Sequence, residues 1–254
     1  MAVIEAHRGG RASVRGLWGF GATVIATIAA FCTVAARAGT VGPDNPSFLL
    51  FAGTDLWRDG AFANGGLLWS PAGLDQDGFT LKLLLAGGQY IYPSSGLRMD
   101  VDGNMVSASA LPGWRMTRDG LTVGLYAGPI IQDYRLMPYD PGSLLRGAYA
   151  GGQIAADIWY RPDPATMIAF DGSIASIGLV ESARAAIGWR SSEPFFIGPE
   201  TQAIWCVDYQ QIRFGAHVTG FRVDAFEWSA AGGWAIESFR RAGPYVRLGF
   251  NTRY

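Results

Sequence analysis

Residues 243–254, GPYVRLGFNTRY, decide how the rest of the chain is read. Val246, Leu248, Phe250, Thr252 and Tyr254 fall on one face of an extended strand, and Arg247, Gly249, Asn251 and Arg253 fall on the other. A strand that is apolar on one side and polar on the other, closed by a terminal aromatic, has the pattern of the last strand of an outer-membrane β-barrel. There the apolar face meets lipid and the polar face meets the lumen. The same alternation also suits a half-buried strand of a soluble sheet. One strand does not separate the two, so the remainder of the chain must.

The pattern recurs. In 182–190, Ala183, Ala185, Ile187 and Trp189 oppose Ser182, Arg184, Gly188 and Arg190. In 210–219, Ile212, Phe214, Ala216 and Val218 oppose Gln211, Arg213, Gly215, His217 and Thr219. In 225–236, Phe226, Trp228, Ala230, Trp234 and Ile236 oppose Glu227, Ser229, Ala231 and Gly233. Turn signals such as Arg58-Asp59-Gly60, Asp75-Gln76-Asp77-Gly78, Arg118-Asp119-Gly120 and Val223-Asp224 separate the segments. Strands are expected at 47–57, 60–70, 78–92, 103–115, 120–136, 146–161, 166–176, 181–191, 194–207, 209–222, 225–236 and 243–254. This is an all-β, antiparallel transmembrane barrel of about twelve strands, an even number that brings both termini to one side. Trp57, Trp69, Trp159, Trp189 and Trp234 lie near strand ends and are expected in interfacial girdles. The soluble alternative, an exported β-sandwich, would bury Trp189, Phe214 and Trp228 in a core.

The other end of the chain supplies a route to the outer membrane. Arg8, Arg11 and Arg15 precede an apolar run from Leu17 to Ala36, and Ala36-Arg37-Ala38 is a small-x-small cleavage signature. Residues 1–38 therefore read as a signal peptide and 39–254 as the barrel. The Ala-, Gly- and Thr-rich run and its cleavage site favour removal over a retained anchor helix. The 254 residues include 35 glycines and only 16% charged side chains, with no basic stripe, so nucleic acid is not expected as a partner. Cys206 is the only cysteine after Ala38, which leaves no disulfide framework within the chain. One histidine and one cysteine make no metal-ligand spacing, and no cofactor is expected.

Candidate chemistry is sparse. His217, the only histidine after the leader, would be needed by a Ser-His hydrolase, but its inward face favours a structural lumen role. Asp157, Asp171, Glu200 and Glu227 also point inward, and a pair of them could act as acid and base on a glycoside. Lys82, Arg184, Arg213 and Arg247 share the same phase, so salt-bridged lining of a narrow lumen is the favoured reading of the whole set. Trp57, Tyr90, Tyr92 and Tyr139 lie near the outer loops, where an aromatic ring either anchors the barrel or stacks on sugar.

Several stretches carry a resemblance: Phe51–Trp69 (FAGTDLWRDGAFANGGLLW), Ser70-Pro71-Ala72-Gly73-Leu74-Asp75, Gly78-Phe79-Thr80-Leu81-Lys82, Leu111-Pro112-Gly113-Trp114, Asp157-Ile158-Trp159-Tyr160, Ser182–Trp189, Gly198-Pro199-Glu200, His217–Gly220 and Phe226–Trp234. Together they resemble the BcsS family of cellulose biosynthesis proteins, along nearly the whole of 39–254. Cys206 departs from the more polar stretch usual there. The resemblance implies a non-enzymatic outer-membrane accessory of cellulose production in a Gram-negative cell, with cellulose or the cellulose synthase and secretion complex as partner. It brings no catalytic residues. The other readings are a small oligosaccharide channel and a barrel enzyme acting on lipid or glycan. Outer-membrane lipid and the barrel assembly machinery are further expected partners, with Phe250 and Tyr254 as the assembly signal.

Overall fold

The computed structural model describes residues 45–190, 194–207, 209–238 and 241–254. The expected signal peptide lies outside them. Among the described residues twelve strands run in sequence: β1 (Phe48–Trp57), β2 (Gly60–Trp69), β3 (Gly78–Ser94), β4 (Met99–Arg118), β5 (Leu121–Met137), β6 (Gly147–Asp163), β7 (Thr166–Ala175), β8 (Val180–Trp189), β9 (Phe196–Cys206), β10 (Tyr209–Val223), β11 (Phe226–Glu237) and β12 (Ala242–Arg253). Each pairs antiparallel with the next, and β12 returns to β1, so the sheet is a closed barrel. Closure runs from Leu49↔Arg253 to Trp57↔Tyr245. Beyond it, Tyr254 N–H donates to the Phe48 carbonyl at 2.9 Å, and the Ser47 and Phe48 amides donate to the Tyr254 carbonyl. Strand pairing by both edges satisfies the backbone donors that hydrocarbon cannot.

The period-two pattern translates into an outside and an inside. On β12, Val246 and Leu248 are exposed, whereas Tyr245 is buried and Arg247 half-buried. Phe250 belongs to the outer face yet is covered, because the Trp228 and Phe226 rings lie 5.3 and 5.7 Å from its own. Trp189 and Trp234 stand on the outer wall, half exposed. Trp57 and Trp159 do not. They share a face with Asp55 and Asp157 and turn inward, Trp57 against Ala231, Ala235 and Tyr245, and Trp159 against Met167 and Phe196. Position near a strand end suggested a girdle for both; strand phase overrides it.

The β2–β3 connection, at the end carrying the termini, is long for a reason. Its Leu74 folds into the barrel mouth and is 1% exposed, packed with Leu68, Leu111, Tyr126 and Ala155. The turn is held by Leu74 N–H to the Pro46 carbonyl at 2.7 Å and by the Ser70 hydroxyl to the Gly73 carbonyl at 2.7 Å. Gly73 has φ +105°, a conformation that only glycine adopts cheaply. At the far end the β7–β8 connection folds in likewise. Ile177 packs on Ile130, Tyr134 and Ala175, with Leu145 of the β5–β6 connection beside it.

The β6–β7 and β10–β11 ladders shift register between Tyr160 and Asp163 and between Thr219 and Phe221, and two other ladders skip pairs where prolines fall. Between β4 and β5 the ladder stops after Ser109↔Ile130 and resumes at Gly113↔Tyr126. Pro112 and Pro129 fall in that gap, and proline has no amide hydrogen to give. Between β8 and β9 the ladder skips Ile187 and Gly188, opposite Pro199 and Gly198.

The inside–outside assignment predicts opposite tolerances on neighbouring residues. Leu248→Arg, on the lipid face, should cost about 2–4 kcal/mol in urea unfolding from lipid vesicles. Gly249→Ser, on the lumen face, should cost far less. Equal costs would contradict the register.

Candidate functional site: the lumen

The inward faces of the strands bring charges together in chords across the barrel. On one side, Lys82 of β3 reaches Asp157 of β6, with Nζ 2.6 Å from Oδ2. The same ammonium lies 4.8 Å from the centre of the Tyr126 ring and 5.9 Å from that of Phe51. On the other side a chain runs Asp171–Arg184–Glu200–Arg247. Arg184 contacts Asp171 at 2.6 Å and Glu200 at 2.9 Å, and Arg247 reaches the same Glu200 oxygen. The Glu200 side chain is completely buried. Two guanidiniums on one carboxylate compensate the cost of removing it from water.

Nearer the far end, Arg213 of β10 is 1% exposed. It donates to Asp55 of β1 at 2.7 Å, to Gln211 at 2.7 Å and to Gln202 at 3.2 Å. Its guanidinium lies 4.9 Å from the Trp57 ring centre and 5.3 Å from that of Tyr245. Gln211 in turn donates to Glu237 at 2.9 Å. Glu227 sits at the opposite end, paired with the exposed Arg222 at 3.3 Å. The sequence reading grouped Lys82, Asp157, Asp171, Arg184, Glu200, Arg213, His217, Glu227 and Arg247 on one face, and in the structure all of them turn inward except that Glu227 lies at the rim. It omitted Asp55 and Gln202, and put Gln211 on the inward face without giving it a role. Asp55 carried a signal, since it shares the phase of Phe51 and Trp57.

His217 occupies the gap left by Pro199. Its Nε2 lies 3.1 Å from the Ile187 carbonyl oxygen of β8 and its Nδ1 lies 2.9 Å from the Thr219 hydroxyl. A carbonyl only accepts, so Nε2 carries the hydrogen and Nδ1 accepts from Thr219. The ring passes over Gly198 of β9, where a Cβ would strike the same Ile187 oxygen. Proline at 199, glycine at 198 and histidine at 217 thus form one device. The first removes a backbone donor, the second opens a passage and the third supplies a replacement donor. No free nitrogen remains for proton transfer.

The aromatic candidates divide. Trp57 stacks on Phe62 inside the barrel, 5.7 Å between ring centres. Tyr90 and Tyr92 stack on each other at 6.1 Å on the inner face of β3. Tyr92 donates at 3.0 Å to Asp140, a buried residue of the β5–β6 connection that also accepts from the Gly142 amide at 2.9 Å. Tyr139, next to it, points outward and is 68% exposed, with the Arg146 guanidinium 5.2 Å from its ring centre. Among the described residues no three His, Cys, Asp or Glu side chains gather as a metal site would require.

The sequence matches the family model for cellulose biosynthesis protein BcsS over residues 49–254. No curated protein sequence matches it. Among solved structures, an outer membrane channel from Pseudomonas putida F1 is similar at 8% identity, covering 86% of this chain and 98% of its own, with a TM-score of 0.51. The KdgM porin is 11% identical, with coverages of 81% and 99% and a TM-score of 0.43. The Pseudomonas putida toluene transporter TodX is 9% identical, with coverages of 83% and 89% and a TM-score of 0.47. At such identities the likeness concerns fold, and that fold is the outer-membrane β-barrel.

Removing one member of a buried chord should be costly. Glu200→Ala leaves Arg184 and Arg247 facing each other and should destabilise the barrel by about 3–5 kcal/mol. His217→Ala uncovers one carbonyl and should cost about 1–3 kcal/mol, with His217→Gln recovering part of it. Urea unfolding in micelles measures both. Asp140 supplies a pH test. The Ser94 hydroxyl foremost, then the Gly142 amide and Tyr92 hydroxyl, hold its carboxyl below the ordinary 3.8 against the opposing pull of burial. A depressed carboxyl contributes stability above its unfolded value and loses it as pH falls through the folded one. Pepsin should therefore leave 138–146 uncut at pH 5 and 4 and cut it only below 3.8, whereas Asp140→Asn should be cut throughout.

Proposed function

The chain belongs to the BcsS family of cellulose biosynthesis proteins, and from that premise we propose that it is a non-enzymatic outer-membrane accessory of cellulose production whose lumen is braced rather than open. The observation that carries this reading is the set of cross-lumen ion pairs. Lys82–Asp157, Arg213–Asp55 and Arg247–Glu200 each join strands that are not neighbours. Charged side chains held by one another across the axis brace the wall and narrow the lumen between them. Leu74 and Ile177 add apolar packing toward the two ends.

The same geometry argues against a barrel enzyme. Asp157, Asp171 and Glu200 are each engaged by Lys82 or Arg184, and the two nitrogens of His217 are both occupied. A glycosidase pair needs two carboxyls free to face a substrate from either side of its glycosidic bond, and these are held by cations instead. The channel reading rests on Asp171, whose side chain is half exposed within the barrel. Water reaches that level.

In this account residues 1–38 direct export and are removed. Phe250 and Tyr254 are read by the barrel assembly machinery, and outer-membrane lipid surrounds the apolar wall. Cellulose, or the synthase and secretion complex, is the partner at one of the two ends.

Two measurements test the reading. Deleting the gene should change cellulose yield or fibre texture; unchanged cellulose removes the accessory role. Purified protein in planar bilayers should be silent. Steady conductance would favour the oligosaccharide channel, and Asp171→Arg should then alter its ion selectivity.

A further inference from the structure

Of the aromatic side chains at the far end, Trp57, Tyr90 and Tyr92 are spent inside the barrel. Trp205, near the end of β9, is not. It faces outward and stands directly opposite Glu181 of β8 in the strand register. Glu181 is exposed, and among the described residues it forms no ion pair. Hydrocarbon expels an ionised carboxylate, so this level of the outer wall lies beyond the lipid core. Trp205 and Glu181 therefore present a flat ring and a carboxylate side by side to the aqueous surface.

The surroundings give this pair a shape. Leu179, with φ 47°, closes the β7–β8 connection and is 64% exposed. The Val207 amide, at the β9–β10 turn, donates to the Gly178 carbonyl at 3.3 Å and ties the two connections together. Leu145 packs against Gly178 from the β5–β6 connection. Between them lies an open depression lined by Leu179, Glu181, Trp205, Cys206 and Val207.

We propose that this depression is a subsite for a neutral β-linked glucan chain. An indole ring offers an apolar plane with edge polarity, which matches the C–H face of a glucopyranose ring. The hydroxyls at the sugar's rim then lie toward Glu181, which accepts charge-assisted hydrogen bonds. Leu179 and Val207 wall the plane. The depression is open rather than enclosed, which suits a segment of a long polymer. Its one charged side chain is an anion and its lining holds no cation, so a phosphate-bearing lipid headgroup meets repulsion there. The choice of glucan among neutral sugars rests on the accessory role in cellulose production; the ring, carboxylate and depression do not.

Calorimetric titration of the folded full-length barrel in detergent micelles with cellohexaose tests the subsite. Saturable binding is expected. Trp205→Ala and Glu181→Ala should each weaken it roughly tenfold, while Trp234→Ala, an outer-wall ring away from the depression, should leave it unchanged. Near-ultraviolet circular dichroism confirms that each variant is folded. No binding to the parent protein overturns the proposal, and so does equal binding by the parent and the Trp205 and Glu181 variants, or equal weakening by Trp205→Ala and Trp234→Ala. Gene deletion separates the two levels. Altered cellulose together with no cellohexaose binding rejects the subsite and keeps the accessory role; binding together with unaltered cellulose does the reverse.

Discussion

A backbone amide or carbonyl left unpaired in hydrocarbon costs several kcal/mol, and the β1–β12 seam is what relieves this chain of two such edges. Everything else follows from that closure. The seam is continuous over the length of β1 and is finished by hydrogen bonds of Tyr254 with Ser47 and Phe48. Where proline interrupts the wall, the structure compensates. His217 crosses Gly198 to reach the Ile187 carbonyl opposite Pro199. At the Pro112–Pro129 interruption, Gly128 lets the strands approach so closely that a Cβ would strike the Ala110 carbonyl.

Closure also dictates what the lumen contains. Once one face of every strand is given to lipid, each charged side chain of the wall must turn to the interior or to a rim. Opposite charges there meet at short range. Such pairs are poor sources of net stability, since desolvation offsets attraction. Their consequence is rigidity and specificity. Arg213 is fixed by Asp55, Gln211 and Gln202 together, and Glu200 by two arginines. The Arg213–Asp55 and Arg247–Glu200 contacts tie strands that are not neighbours to one another across the lumen.

Period two made most of the fold legible. The alternation in 182–190, 210–219, 225–236 and 243–254 places Arg184, Arg213, His217, Glu227 and Arg247 on the inward phase, and turn residues place the strands within a few positions. What escaped depends on neighbours that are distant in sequence. Leu74 reads as part of a polar turn, and its insertion depends on Leu68, Leu111 and Tyr126 from three strands. Trp159 and Trp57 read as girdle residues because nearness to a strand end was weighed above phase. The role of His217 needs Pro199 and Gly198, each on a different strand from the histidine. The Trp205–Glu181 pair is visible only once β8 and β9 are in register. The link to cellulose came from family likeness alone, since neither periodicity nor charge specifies it.

The central claim is that this chain is a closed barrel residing in the outer membrane. Its most direct test is cell fractionation followed by electrophoresis with and without boiling. The account predicts that the protein is found in the outer-membrane fraction and that the unboiled form migrates separately from the boiled form, because the closed sheet resists detergent until heated. Recovery as a soluble periplasmic protein with a single mobility would contradict it.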